Sequence, residues 1–248
     1  MYARDVDGKR LSFRAPSTQW KNDMAMQDLE TKTYWSHHSL KALDGPLKGK
    51  SLQIVAHVET TWAEWKRSYP NSHFVEKSDT WVKGNVDLWK PYTDDPDVTG
   101  QIGVGTKDPR LPGKTLCVGL WRGKESVCYV LSEVDKGPRQ PYFANEMLDG
   151  IPIVLVADPT RRTVASYVST VAGRKLKFSR MTRAADGRTV LVDKGTGSTW
   201  DVLSGRAIAG RLRGARLAPF PHLAGYWFSW CEHYPGSRLG KNEVYARP

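Results

Sequence analysis

The sequence predicts a mainly β protein with short helices (α+β), built as two pseudo-equivalent tandem repeats of which the first is incomplete. Three observations predict it. Residues 1–72 align with residues 166–237 at one offset of 165, without a gap and with 20 identities. Leu11 and Phe13 alternate with Ser12 and Arg14, the period of two that marks a half-buried strand, and Leu176 and Phe178 recur at the same offset. A W-x-x-W-x-x-x-Y-P segment occurs in each copy, Trp62 to Pro70 and Trp227 to Pro235, with its tryptophans on one face of a short helix.

In chain order, Tyr2 to Phe13 forms a hairpin, because Asp7-Gly8 suits a two-residue turn and glycine adopts left-handed backbone without steric cost. Ala15 to Glu30 is less regular, and there the copies differ most. Trp35 opens a segment of short strands punctuated by Gly45 and Gly49, matched by Trp200, Gly210 and Gly214. Thr60 or Thr61 caps the first helix, with Glu64 completing a capping box after Thr61. Tyr69-Pro70 ends it, since the residue before proline avoids helical backbone. Trp62, Trp65, Trp200, Trp227 and Trp230 are expected to be structural anchors, with Trp35 and Trp200, and likewise Trp62 and Trp227, in equivalent places. His73 to Gly100 is a linker, so the units are 1–101 and 102–248.

The second unit begins with material that the first lacks. It comprises a hairpin from Leu116 to Leu131, a helical or looped stretch from Tyr142 to Leu148, and an apolar buried strand from Ile151 to Val156. With Arg122-Gly123 as its turn, the hairpin sets Cys117 opposite Cys128. Their Cα atoms would lie about 4.5–5.5 Å apart, within the range of a disulfide, with Cys231 unpaired. Because residues 1–72 open in mid-hairpin without the partner strands of the second copy, Met1 is not expected to be the natural beginning of the fold: the expectation is a misassigned start, a truncation or a divergent member with an incomplete first repeat.

Composition excludes several classes. Apolar content of 40% and charged content of 25% over 248 residues suit a globular protein. No run approaches the length of a membrane-spanning helix, and Met1 to Lys9 is not a secretory signal. The three cysteines include no C-x-x-C pair. Charge is uneven: Arg161 to Leu217 holds 13 Lys/Arg against 3 Asp/Glu, +10 of the chain's +11. That block can attract an anionic polymer or surface, nucleic acid included. The matching Met1 to Leu52 carries 9 basic and 6 acidic residues, so the fold itself does not demand the charge.

Familiar motifs fail on inspection. Pro112-Gly-Lys-Thr115 lacks the first glycine of a phosphate loop, since position 108 is Asp108. No G-x-S-x-G elbow is present. Asp94 to Asp97 lacks the glycine and distal glutamate of a calcium loop. The histidines, at 37, 38, 57, 73, 222 and 233, have no metal-ligand spacing, so neither metal nor cofactor is expected. Cys231-Glu-His233 is a weak ligand set. His57 and His222 share one repeat position, which points to a shared hydrogen-bonding role.

Divergence between the copies locates a site. Asn22 and Asp23 become Gly187 and Arg188, and Trp35-Ser-His37-His38 becomes Trp200-Asp-Val-Leu203. The candidate binding residues are therefore Asn22, Asp23, Trp35, His37 and His38. The doubled Val6-x-Gly8-x-x-Leu11-x-Phe13, the Thr31-to-Leu52 segment and Trp62-x-x-Trp65-x-x-x-Tyr69-Pro70 resemble the bacterial and archaeal family known as domain of unknown function 3179. The resemblance covers nearly the whole chain. It implies a tandem-repeat protein, often exported, with no activity to carry over. Such proteins usually have C-P-x-C-G before the first hairpin and an N-S-D-like triplet after it. Asn22-Asp23 matches part of the triplet, and the cysteine motif is absent from this sequence. The expectation is a non-catalytic binding or interaction module with its site in the first repeat. The alternatives are a redox or metal-dependent enzyme whose C-P-x-C motif lies upstream, and a polyanion binder acting through residues 161–217.

Overall fold

The strand Ile151–Asp158 is apolar along nearly its whole length because both of its faces are covered. In the computed structural model, which describes residues 1–74, 95, 98–100, 108–133, 137–138, 140–241 and 243–244, it is the middle of a five-stranded antiparallel sheet. Tyr142–Leu148 and Thr163–Val168 flank it, with Glu243–Val244 and Ala218–Pro219 at the edges. Successive side chains of a strand point to opposite faces. Ile153, Leu155 and Ala157 accordingly enter one core with Val118, Leu120, Val127 and Tyr129, while Val154 and Val156 enter another with Phe178, Leu191 and Trp200. The strand joins the two cores.

The first of those cores is closed by the hairpin Leu116–Arg122 and Glu125–Glu133, to which Leu223–Tyr226 adds on the outer edge. The second is closed by four short strands, Phe178–Arg183, Thr189–Asp193, Thr199–Asp201 and Ala207–Ala209. A similar small sheet forms in the first hundred residues. There Asp23–Asp28 pairs with Phe13–Arg14, Gln19–Trp20 and Tyr34–Ser36, and Ala42–Asp44 lies outermost. It encloses its own core of Val6, Leu11, Met26, Trp35 and Leu52.

Local devices in the two small sheets match at the 165-residue offset. Trp35 Nε1 donates to Asp28 at 2.9 Å, and Trp200 Nε1 to Asp193 at 3.2 Å. Leu47 N donates to the Thr33 hydroxyl at 3.2 Å, and Leu212 N to Ser198 at 2.9 Å. A Cβ on Gly45 would lie 2.7 Å from the Thr33 Cα, and one on Gly210 2.6 Å from the Ser198 Cα, both at positive φ. Only glycine fits either place. The Asp7-Gly8 turn forms between Asp5–Val6 and Lys9–Arg10, with both turn residues left-handed.

Two seven-residue helices, α1 (Trp62–Ser68) and α2 (Trp227–His233), follow the small sheets. Thr61 caps α1 by accepting from Glu64 N. The indole of Trp65 donates to Ser72 at 2.8 Å and that of Trp230 to Ser237 at 2.9 Å. Their first tryptophans part company. Trp227 is fully buried, whereas Trp62 is 45% exposed and meets Phe74 edge-on, so Trp62 is not a core anchor. The reason is what each helix lies on. The helix α2 packs Trp227, Trp230 and Cys231 against Cys117 and Cys128 of the hairpin. Gly119 makes this possible, since a Cβ there would sit 2.0 Å from the Trp230 ring.

Three further expectations are corrected. The hairpin turn is Gly123-Lys124, which pairs Arg122 with Glu125 and moves the register by two residues. Cys117 therefore faces Val130 and Cys128 faces Gly119, and all three cysteines are free and buried. Gly123 has φ +55, the left-handed first position that this kind of turn needs. Tyr142–Leu148 is a strand, neither helix nor loop, turned back on Ile151–Asp158 through the left-handed pair Asp149-Gly150. The expected linker, with Asp94 to Asp97, lies mostly outside the described residues. Among the described residues no helix is long and apolar enough to cross a membrane.

Candidate functional site

Asp23 and His38 meet because of the register of one strand pair. Ala25 faces Ser36 across the ladder, so two residues further out Asp23 comes opposite His38. Lys21 and Asn22, both left-handed, form the tight turn that starts the Asp23 strand. His37 and His38 lie just beyond Ser36, in a turn held by Ser39 N to the Ser36 hydroxyl and Leu40 N to the Ser36 carbonyl. His38 Nδ1 is hydrogen-bonded to Asp23 Oδ2, and His37 Nδ1 lies 3.7 Å from the same oxygen.

The remaining wall comes from α2. The His233 ring stacks on His38 at 4.5 Å and 8°. Asn22 Nδ2 donates to Glu232 Oε1 at 2.7 Å, and Lys21 Nζ to the Glu232 carbonyl at 2.9 Å. Beside these groups opens a cavity of about 290 Å³, lined also by Tyr226, Phe228 and Ser229. The Ser229 hydroxyl and His233 Nε2 are buried and have no hydrogen-bond partner among the described residues. Burial works to raise the Asp23 carboxyl, but the hydrogen bonds and charges of His37 and His38 hold it well below the usual carboxylate range. Burial, with His38 beside it, pushes His233 down to about 4. The arrangement presents an ionised carboxylate and imidazoles to a small, half-open cavity.

Of the five sequence-derived candidates, Asn22, Asp23, His37 and His38 come together. Trp35 does not: it is fully buried and bonded to Asp28, and its side chain belongs to the core. His233 was missed as a partner of this group, because nothing in the alignment brings the second helix onto the first small sheet. The counterparts at the 165-residue offset cannot repeat the site, being Arg188, Val202, Leu203 and, for His233, Ser68. Arg188 instead pairs with Asp186 at 2.6 Å and borders a groove of about 580 Å³ with Arg206, Arg213, Arg216 and Tyr69.

Two other polar groups join residues far apart in the chain. Glu64 of α1 takes Arg161 at 3.0 Å and Arg183 at 3.4 Å, and Arg183 also reaches the buried Asp158 at 3.2 Å. His57, Glu59 and His222 gather on a smaller cavity of about 200 Å³ that His37 and His38 also line. Cys128 and Cys231, in contrast, are poor nucleophiles. Burial raises Cys128 and Cys231 well above the ordinary range, and the thiolate is the nucleophile.

A search of curated proteins and a search of solved structures each returned no match. A scan against family models matched residues 1–237 to the family described as a protein of unknown function, DUF3179. With nearly the whole chain covered by that match, the protein belongs to the DUF3179 family.

Proposed function

We propose that the protein is a non-catalytic binding module whose ligand occupies the cavity beside Asp23, His37 and His38. The observation that carries this is the partly buried Asp23–His38 pair facing a half-open cavity, with residues that the matching positions 188, 202 and 203 lack. An ionised carboxylate needs a donor or a cation opposite it, and two imidazoles with Tyr226 and Phe228 supply flat faces. The ligand class is a small polar molecule bearing an amine or adjacent hydroxyls. The units are proposed as 1–101 and 102–248, repeats of one plan, with the site where the helix of the second covers the sheet of the first.

The test is to follow the histidine ring signals by NMR during titration with a panel of amino acids, amines and simple sugars. Saturable shifts at His37 and His38 are expected with at least one panel member, and Asp23→Asn should weaken them at least tenfold. A panel that leaves both rings unmoved overturns the reading.

A second reading rests on the groove bordered by Arg188, Arg206, Arg213 and Arg216, which suits an anionic polymer. It uses the basic block of residues 161–217 and does not touch the Asp23 site.

A further inference from the structure

We propose that His57, Glu59 and His222 bind a divalent transition-metal ion of the zinc class. The three residues come from both halves of the chain. Glu59 exchanges two backbone hydrogen bonds with Val164, at 3.0 and 2.8 Å, which fixes the His57-Val-Glu59 segment on the edge of the central sheet. His222 follows Phe220, whose own N–H is tied to the Ser166 carbonyl on that strand. Glu59 Oε1 lies 3.2 Å from His57 Nε2 and 3.8 Å from His222 Nε2. Ligand atoms about 2.0–2.2 Å from a tetrahedral ion lie roughly 3.3–3.5 Å apart, so these edges need little adjustment.

Proton accounting favours an ion over a hydrogen-bonded pair. The Ser166 hydroxyl donates its one hydrogen to the Phe220 carbonyl at 2.7 Å, because a carbonyl can only accept. Its contact with His222 Nδ1 at 2.9 Å must then be one in which the ring donates. That leaves His222 Nε2 with a bare lone pair. The atom is buried, without a hydrogen-bond partner among the described residues, on a residue with no exposed surface. It faces a carboxylate oxygen, another acceptor, so a cation between them converts a repulsive contact into two bonds. The two rings stack at 4.6 Å and 30° and do not hydrogen-bond each other. A shared hydrogen-bonding role, which the common repeat position of His57 and His222 suggests, would leave this buried acceptor unsatisfied.

Ser166 then does for His222 what an outer partner does for a metal-bound imidazole: it holds the tautomer and the ring angle. Two imidazoles and one carboxylate suit zinc, cobalt or ferrous iron, and not calcium or magnesium, which take oxygen. Tyr2, Ile54, Trp121 and Leu223 wall the adjoining cavity, leaving a position for water or a ligand group on the ion.

The experiment uses the full chain, stripped with a chelator and titrated with Zn²⁺ by calorimetry and with Co²⁺ by visible absorption. One equivalent should bind, with a tetrahedral Co²⁺ spectrum. Glu59→Gln should weaken binding at least tenfold, and this half-exposed side chain can change without disturbing the metal-free fold. Ser166→Ala should cost about 10–100-fold. His73→Gln, at an exposed histidine outside both clusters, should leave affinity unchanged. The proposal is overturned if the folded protein binds neither ion, or if Glu59→Gln binds as well as wild type. Loss of the ion in Asp23→Asn while Glu59→Gln retains it also overturns it, by moving the site to Asp23. None of these outcomes decides whether small molecules enter the Asp23 cavity, which the NMR titration reads separately.

Discussion

Trp35 shows how far a single residue can mislead when only its place in the alignment is known. It stands next to the sequence that diverges, yet it is identical in both copies, and identity is the mark of a shared structural duty. That duty is an indole N–H buried against a carboxylate seven residues earlier, Asp28 for Trp35 and Asp193 for Trp200. Hydrogen bonds to charged groups contribute about 1.5–3 kcal/mol, and a buried carboxylate left short of a donor retains its desolvation cost. Trp35→Phe and Trp200→Phe should each destabilise the protein by about that amount in denaturant titrations. A pair that differ by much more than their distances suggest would mean the two carboxylates are satisfied in different ways. Asp23 and His38, by contrast, were legible as candidates because the other copy has a side chain of opposite charge, Arg188, and an apolar one, Leu203, in their places. Their contact follows from the strand register, which only the folded ladder specifies.

At the scale of elements, each short helix is tied to residues far from it in the chain. The helix α1 sends Glu64 to Arg161 and Arg183, while α2 brings His233 onto His38. Helices this short have little stability of their own, so these contacts hold them in place. Arg183→Met removes a partner from both Glu64 and the buried Asp158, and should cost about 1.5–3 kcal/mol. Hydrogen exchange at the amides of α1 should accelerate more than that of the central sheet.

The α2 contact is sensitive to acid. His233 is faced by His38, Asp23, His37 and Lys21, and its proton affinity in the fold is below that of the unfolded chain. The unfolded chain therefore binds the extra proton first. Stability from His233 is complete above about 6.5 and falls as pH drops toward about 4. Asp23 acts in the same direction, but only at more acidic pH, below the ordinary carboxylate value. Denaturant midpoints should decline from pH 7 to 4, and the decline should be shallower in His233→Gln. Equal slopes in both proteins would remove His233 from the account.

At the scale of the whole molecule, four of the thirteen basic residues between Arg161 and Leu217 meet on one groove. Arg188, Arg206, Arg213 and Arg216 border it together, with α1 contributing Ser68 and Tyr69. If the groove takes a polyanion, binding of a DNA duplex should weaken steeply with salt, with a slope of about −0.9 per phosphate neutralised. The double change Arg206→Ala and Arg216→Ala should lower that slope by about two while leaving the Asp23 site untouched. A slope that does not change shows that charge spread over the surface, not the groove, is responsible.

The sequence by itself determined the family, the mainly β class, the capped helix at Thr61, the Asp7-Gly8 turn and the buried strand at Ile151. These depend on neighbours a few residues apart, where turn chemistry, capping and alternation act directly. Tertiary structure decided the rest. A two-residue shift in one turn moved Cys117 from opposite Cys128 to opposite Val130, because register in a ladder is a property of the pair of strands. What lies beneath each helix decided that Trp227 is buried and Trp62 is not. Packing of one half on the other brought His233 to His38 and His57 to His222, across 195 and 165 residues of chain, because burial rewards proximity in space and is indifferent to distance along the sequence.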